Sequence, residues 1–400
     1  MNEGRHNTLE IESNRFYNII SYSKKPVSTF KNEFFTRLRL YKSDFQINSF
    51  SKVIAAIFFM FATHISDAIT FSQWLVTDTD SWIGPTEVLL SNAITGILFS
   101  LLGGQPLIIL GVTGPVTIYT ITMYQISKSF GLNFLAFYGF SGLLAGIMHI
   151  FLALKNYCNF VKYVTKFSCE VFGTLIGIIY TINGIEILIK ILFNQSSTIF
   201  LFSFTLGMFV YFFNSFLQNL SNSRFFNVNI KNFISNYSVF LSLVISVALQ
   251  FIFPSISLER MNVGSGEFAP SICSSSSGCR TWLVNIFDLP IWGFFLAIIP
   301  AFILTVLFFF DHNVSSLLSQ QDKFNLQKPP AYNYDFFIVG VLIIFCSIFG
   351  LPPVNGLIPH APLHIRSLAT IKKIKNDYGE EEEIWERVEE QRISNLFKSI

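Results

Sequence analysis

Three short stretches carry the residue types that could do chemistry. The first, residues 351–369, reads LPPVNGLIPHAPLHIRSLA. Pro352, Pro353, Pro359, Pro362 and Gly356 break any continuous helix, yet the second half has apolar residues and a helix-like tail. A short helix that starts inside an apolar layer satisfies both features. Its first N–H groups have no intrahelical partner, and its dipole turns a positive end toward whatever binds there. Asn355 and Gly356 stand at the expected start. Asn caps a helix start or hydrogen-bonds a hydroxylated ligand, and the sequence leaves both roles open. In the second stretch, GGQPLIILGVTGPVTIYT (residues 103–120), Gly111, Gly114 and Pro115 interrupt another apolar run. A restart there presents the N–H groups around Thr113 and Gly114, with Pro115 suited to a first helical position. The third is Asp311, at the far end of an apolar run of about 20 residues, with Ser315, Ser316 and Ser319 on nearby turns. A carboxyl at membrane depth is costly and is retained for function: to hold a proton or sodium ion, or to balance two half-helix dipoles. A span ending at Phe310 would instead make Asp311 an ordinary interfacial residue.

Other candidates are weaker. Asp67 and Gln73 interrupt the first apolar segment and are expected to line the same cavity, with His64 packed against a neighbour. His360 and His364 have the i, i+4 spacing of a zinc pair, but no H-E-x-x-H pattern and no third ligand accompany them, so no metal or cofactor is expected. Nucleotide-binding and nucleophile-elbow motifs are absent, so the chain is not read as an enzyme. The Glu380–Glu383 run reads as a solvated helix start. Cys273 and Cys279 share a polar loop and could form a disulfide on an oxidising side. Asn194-Gln195-Ser196 matches a glycosylation acceptor or is a chance match.

The elements that must position these groups follow from composition. The 400 residues are 51% hydrophobic and 13% charged, with mean hydropathy +0.51, whereas soluble domains carry about 25% charged residues. The chain is therefore read as an all-α polytopic membrane protein. Lys plus Arg (27) nearly balances Asp plus Glu (25), which gives no sign of a nucleic-acid partner. No cleavable signal peptide opens the sequence. Residues 1–51 are basic and read as a cytoplasmic N-terminal segment, with a short surface helix over 34–50. Expected spans cover residues 52–76, 88–102, the broken helix, 134–154, 167–189, 198–216 and 234–253. Gly142 and Gly146, then Gly173 and Gly177, are spaced for close helix contact. Residues 254–289 form an outer loop. Spans over 290–310 and 334–350 lead to the half-helix over 352–369 and a charged cytoplasmic segment over 371–395. Corresponding breaks in two halves are the mark of an inverted-repeat transporter with a midplane site.

The stretches GGQPLIILGVTGP, FFDHNVSSLLSQQ, FNLQKPPAYNYD and GLPPVNGLIPHAPLHIRSLA resemble the fungal and plant borate exporters, within the band-3-like anion exchanger and bicarbonate transporter superfamily. The resemblance runs from about residue 52 to the end. It implies an inverted-repeat fold of seven plus seven spans with a core domain, here residues 52–154 and the spans after 290, and a gate domain, here residues 163–253. It implies a substrate between the half-helix starts at Thr113–Val116 and Val354–Leu357, with Gln73, Thr113, Gly114, Pro115, Asp311, Asn355 and Gly356 as binding residues and Asp311 as a possible coupling-ion residue. It also implies borate as the transported anion, boron efflux at the plasma or vacuolar membrane, and a homodimer where the gate is complete. Against that pattern the second repeat stops at Ile400, about four spans short. A bicarbonate/chloride exchanger is the other transport reading; a truncated, non-transporting or regulatory membrane protein is the reading from another class.

Overall fold

The computed structural model describes residues 26–163, 166–220, 230, 234, 237–256, 258, 269–274, 279–375 and 381–400. The chain opens with α1 (Pro26–Leu40) and a 3-10 turn (Tyr41–Phe45). The first long helices are α2 (Phe50–Asp78) and α3 (Pro85–Leu102), followed by the short strand β1 (Leu110–Gly111). Next come α4 (Gly114–Ser129), α5 (Phe134–Leu154), α6 (Lys166–Asn194), α7 (Ser197–Asn219) and α8 (Ser238–Ile252). Beyond the loop lie α9 (Ile291–Leu296), α10 (Ile298–Ser319), α11 (Tyr332–Ile348), strand β2 (Asn355–Gly356) and α12 (His360–Leu368). A hairpin of β3 (Ala369–Lys375) and β4 (Glu381–Val388) precedes α13 (Ile393–Ser399). Among the described residues, six helical stretches are long and apolar enough to cross a membrane: Phe50–Asp78, Pro85–Leu102, Phe134–Leu154, Gly173–Asn194, Ser197–Asn219 and Ile291–Ser319. α8 and α11 are shorter apolar helices.

The helices fall into a packed set and an open set. About half of α3 and α5 is buried inside the molecule, whereas α6 and α7 bury almost nothing. The main core joins α3, α4, α5, α10 and α11 through residues such as Phe99, Val116, Phe137, Leu304, Phe308 and Ile343. Apolar contact between spans gains little over contact with lipid, so close packing and hydrogen bonds must hold them. α5 and α11 show how. A Cβ on Gly142 would lie 2.1 Å from Ser347 Oγ, and one on Gly146 would lie 2.8 Å from the Gly340 carbonyl. The two backbones approach where only glycine fits. The expectation for α6 was the same, but open space lies beside Gly173 and Gly177. Spacing alone does not say which helix, if any, arrives.

Two sequence expectations need correction here. The N-terminal helix is α1, earlier than residues 34–50; it lies at the surface with Val27, Phe35 and Leu38 exposed, and Arg37 on its inner face is buried, its Nε donating to the Gly104 carbonyl. Residues 381–388, including Glu381–Glu383, form strand β4 paired antiparallel with β3, not a helix start; Glu380 lies outside the described residues. The final α13 is buried within the molecule through Ser394, Asn395 and Lys398. The N-terminal residues 1–25 of the expected cytoplasmic segment and much of the outer loop over 254–289 also lie outside the described residues.

Candidate functional site

Two unwound segments cross at the centre of the packed helices. β1 and β2 pair antiparallel, Leu110 with Gly356 and Gly111 with Asn355. The Leu357 N–H extends the ladder to the Ile109 carbonyl at 2.8 Å. Broken backbone at membrane depth must satisfy its own polar groups, and this pairing does so for both segments at once. The neighbours complete it. Asn92 Oδ1 on α3 accepts the Val112 N–H at 2.9 Å. Ser91 Oγ donates to the Pro352 carbonyl at 2.6 Å, and Ser315 Oγ on α10 donates to the Leu357 carbonyl at 3.3 Å. The fit is tight: a Cβ on Gly111 would meet His64 Nε2 at 2.4 Å, and one on Gly356 would meet Ser315 Cβ at 3.0 Å.

After the crossing the segments differ. Thr113 is the N-cap of α4, which starts at Gly114 with Pro115 in its first turn, as the glycine and proline spacing requires. The second restart comes later than expected. Asn355 and Gly356 are strand, and α12 begins at His360. Asn355 Oδ1 accepts the N–H of Gly356 at 2.9 Å. It therefore steadies the strand rather than capping the helix.

Asp311 lies within α10, which runs on to Ser319, so the span does not end at Phe310. Its side chain is buried, and neither carboxyl oxygen has an aligned hydrogen bond. The Asn355 amide stands close enough to interact with it, and Asn355 Nδ2 has no aligned partner either. Thr113 Oγ1 is a third buried polar atom without a partner. Buried polar groups are nearly always paired, so three such side chains from three elements beside one crossing mark a place built for a polar ligand. α6 covers this place. Ile179, Tyr180 and Phe71 lie within ordinary contact of the position a Gly114 Cβ would take. Ile176, Val314, Leu317 and Ile358 form an apolar cluster between α6, α10 and the segment after β2.

Gln73 is on the same helix as Asp67, one and a half turns or so further on. It is half-buried on α2 and lies about 120° around the helix from Asp67. His360 and His364 diverge. His360 Nε2 faces Asp67 Oδ2 at 3.5 Å. His364 is held between the Leu107 carbonyl at 2.9 Å and Ser394 Oγ at 2.7 Å. The described residues hold no metal-ligating cluster. Cys273 and Cys279 are joined by a disulfide. Ser196 of the acceptor triplet is the N-cap of α7, its hydroxyl accepting the Ile199 N–H.

Sequence reasoning missed the groups that hold the crossing rather than the ligand. Ser91 and Asn92 were readable only as polar residues in an apolar span. Asp335 accepts N–H groups of Gly104 and Gln105 at the turn before β1. Glu87 accepts from Ser271 N–H at 2.9 Å and Arg280 Nη2 at 3.2 Å. Burial lowers the Arg280 pKa, and the Glu87 carboxylate opposes that shift.

Residues 25–198 and 192–400 match the HCO3- transporter integral membrane domain. This chain belongs to the HCO3- transporter family. It is an integral membrane protein of that family, and the observed antiparallel crossing lies inside the matched region. It is 34% identical over 340 residues to Boron transporter 1 of Saccharomyces cerevisiae, covering 83% of this chain and 58% of the yeast protein. It is also 34% identical over 371 residues to a protein of Arabidopsis thaliana named Probable boron transporter 3, covering 86% of this chain and 50% of the plant protein. The chain thus spans about half the length of these curated relatives. The transmembrane domain of the cyanobacterial bicarbonate transporter BicA superposes with TM-score 0.56 at 15% identity, covering 89% of this chain and 82% of that one. That likeness concerns the fold.

Proposed function

We propose that this HCO3- transporter family chain carries the substrate site of a secondary active borate exporter. The observation that carries the reading is the trio of buried polar side chains at the crossing, Asp311 beside the Asn355 amide and Thr113, whose Asp311 carboxyl oxygens, Asn355 Nδ2 and Thr113 Oγ1 make no aligned hydrogen bond among the described residues. A carboxylate accepts hydrogen bonds and cannot donate them. A ligand held beside Asp311 must therefore bring hydrogen-bond donors of its own. Tetrahydroxyborate brings four hydroxyls on one anionic centre, chloride brings none and bicarbonate one. Asp311 accepts from borate hydroxyls, the Asn355 amide and the free N–H groups at the start of α4 donate to borate oxygens, and the Thr113 hydroxyl does either. The similarity to two boron transporters supports the same choice. Gly114, Pro115 and Gly356 shape the backbone there, and Gln73 on α2 is the remaining candidate of the binding set.

In this reading residues 52–154 and the helices from 290 to 369 form a core that moves against the helices of 163–253, with residues 254–289 as the outer connection. The basic N-terminal segment lies in the cytoplasm, and the protein works in the plasma or vacuolar membrane, as a homodimer through the gate helices. The test is boron content in cells lacking their own exporter, with this chain expressed or not at matched membrane levels. Lower internal boron with the chain is the expected result; unchanged boron despite correct insertion overturns the reading. The family description favours a second reading, bicarbonate/chloride exchange. A chloride or bicarbonate flux without a boron effect would establish it.

A further inference from the structure

The crossing leaves a second set of buried titratable groups unexplained, on the seam between α2 and α12. His360 opens α12, and its Nε2 lies 3.5 Å from Asp67 Oδ2 on α2; their side chains are 7% and 21% exposed. Among the described residues Asp67 Oδ2 and His360 Nδ1 make no aligned hydrogen bond, and the Thr63 backbone on α2 lies close enough to interact with the His360 ring. The two groups sit on the two elements that flank the crossing, one from each half of the chain, and outside the trio that faces the anion.

Every neighbouring element contributes something that bears on their charge. On α2, His64 packs its ring 6.3 Å from that of His360, with its Nε2 turned to Gly111. On α13, Lys398 is buried and among the described residues has no hydrogen-bond partner; it lies within electrostatic reach of His64, His360 and His364. On α12, His364 is committed to Leu107 and Ser394. On α6, Tyr180 lies within electrostatic reach of both Asp67 and Asp311. On α10, His312 is turned toward Gly356 and Phe336.

We propose that Asp67 and His360 form a proton site that loads one proton each time an anion occupies the crossing, so that the anion crosses the membrane without net charge. This inference rests on the reading of the crossing as an anion site. The charge argument is direct. An anion beside Asp311 adds a further negative charge at membrane depth, and an uncompensated charge there is costly. An ionised Asp67 beside a neutral His360 is one charge negative. One proton taken from water makes the pair neutral overall, whichever of the two holds it. Charge at the seam then rises by one as charge at the crossing falls by one. Because the proton rests on the pair and not on the ligand, a borate keeps all four hydroxyls for Asp311, Asn355 and Thr113. The second proton, which would leave the pair positive, is disfavoured by Lys398 if that amine is charged. Asp67 and His360 act as positioning groups for the proton and do not touch the anion.

The experiment has two arms on the full chain. The first is an infrared pH titration of purified protein in detergent, read at the carbonyl band of protonated carboxyl groups. Asp67→Asn should delete one component of that band. His360→Gln should move the midpoint of the same component by about one pH unit, because the two titrate as a pair. The second arm uses proteoliposomes loaded with sodium borate. An inside-acid gradient should speed efflux from wild type; this stimulation should vanish in Asp67→Asn and move its pH dependence by about one unit in His360→Gln. Equilibrium exchange of isotopically labelled borate by Asp67→Asn should stay within about threefold, since the amide carries the same charge as the protonated carboxyl and the loaded form still crosses. Asp67→Glu should restore part of the stimulation. A band whose midpoint ignores His360→Gln overturns the proposal, as does stimulation retained in Asp67→Asn, or exchange lost with it. If the wild type moves no borate, the anion reading fails; the infrared arm then still decides whether Asp67 and His360 share a proton.

Discussion

At the scale of single residues the crossing is held by a few hydrogen bonds, each from a side chain with an identifiable task. Asp311 is the one carboxyl beside the crossing on α10, and its place inside a helix that continues to Ser319 sets it apart from an interfacial residue. Replacing Asp311 with Ala should abolish boron efflux, at least tenfold below wild type, while surface labelling shows unchanged membrane insertion. An intact rate would sink the assignment. Asn92 has the opposite character. Its Oδ1 satisfies the Val112 N–H inside the broken segment. Asn92→Leu strands that donor and should cost about 1–3 kcal/mol, read as a lower melting temperature in detergent. A melting temperature equal to wild type would mean the Val112 N–H finds another acceptor. The types at 311 and 92 are plain in the sequence. Their tasks are not, because a polar residue in an apolar helix reads the same whether it awaits a ligand or holds a backbone.

At the scale of elements the termini of the described chain meet across the molecule. Asp44, after α1, accepts from Arg392 Nε at 2.7 Å and from the Lys328 ammonium. Arg392 Nη1 also donates to the Ser100 carbonyl at 2.8 Å, at the end of α3. Arg392→Ala leaves Asp44 with Lys328 alone and frees the Ser100 carbonyl; about 1–3 kcal/mol of stability should be lost, measured by thermal melting, and no change would assign the arginine no structural weight. α1 is pinned by Glu33, which accepts from Asn333 Nδ2 at 3.0 Å and from the Tyr334 N–H at 2.9 Å. Burial pushes the Glu33 carboxyl up to about 7, against those two hydrogen bonds and with Asp335 adding to the rise. A carboxyl raised in the fold binds more protons there than in the unfolded chain. Its contribution therefore favours the fold at low pH and is lost as pH rises from about 4.5 toward about 7. Melting temperature followed across that window should fall more steeply in wild type than in Glu33→Gln; parallel profiles would show that Glu33 does not titrate there. The sequence revealed the charged residues of this region but not their burial, since partners more than 280 positions apart, such as Asp44 and Lys328, leave no local pattern.

For the molecule as a whole, the relation between packed and open helices matters most. α6 touches the crossing through Ile176, Ile179 and Tyr180 while burying little else. If the helices of 163–253 slide against the core during transport, this contact must break and reform. A double variant, Ile176→Cys with Val314→Cys, joined by a short thiol cross-linker, should arrest boron efflux, and reductant applied to a cleavable linker should restore it. Full activity in the cross-linked protein would place the motion elsewhere.

Composition, apolar run length and the Gly and Pro interruptions were enough to determine a membrane protein with two broken helices, and the motifs within them were enough to show the family. Those features depend on local rules: backbone that cannot continue as helix must stop where Pro and Gly stand, in any context. The sequence alone could not determine that the two broken segments would pair with each other as strands, that α12 would wait until His360, or that His360 would turn to Asp67 and His364 away from it. Nor could it show that Gly142 and Gly146 have a partner helix while Gly173 and Gly177 have none. Each of these depends on which distant segment arrives at a given surface, and only tertiary packing decides that.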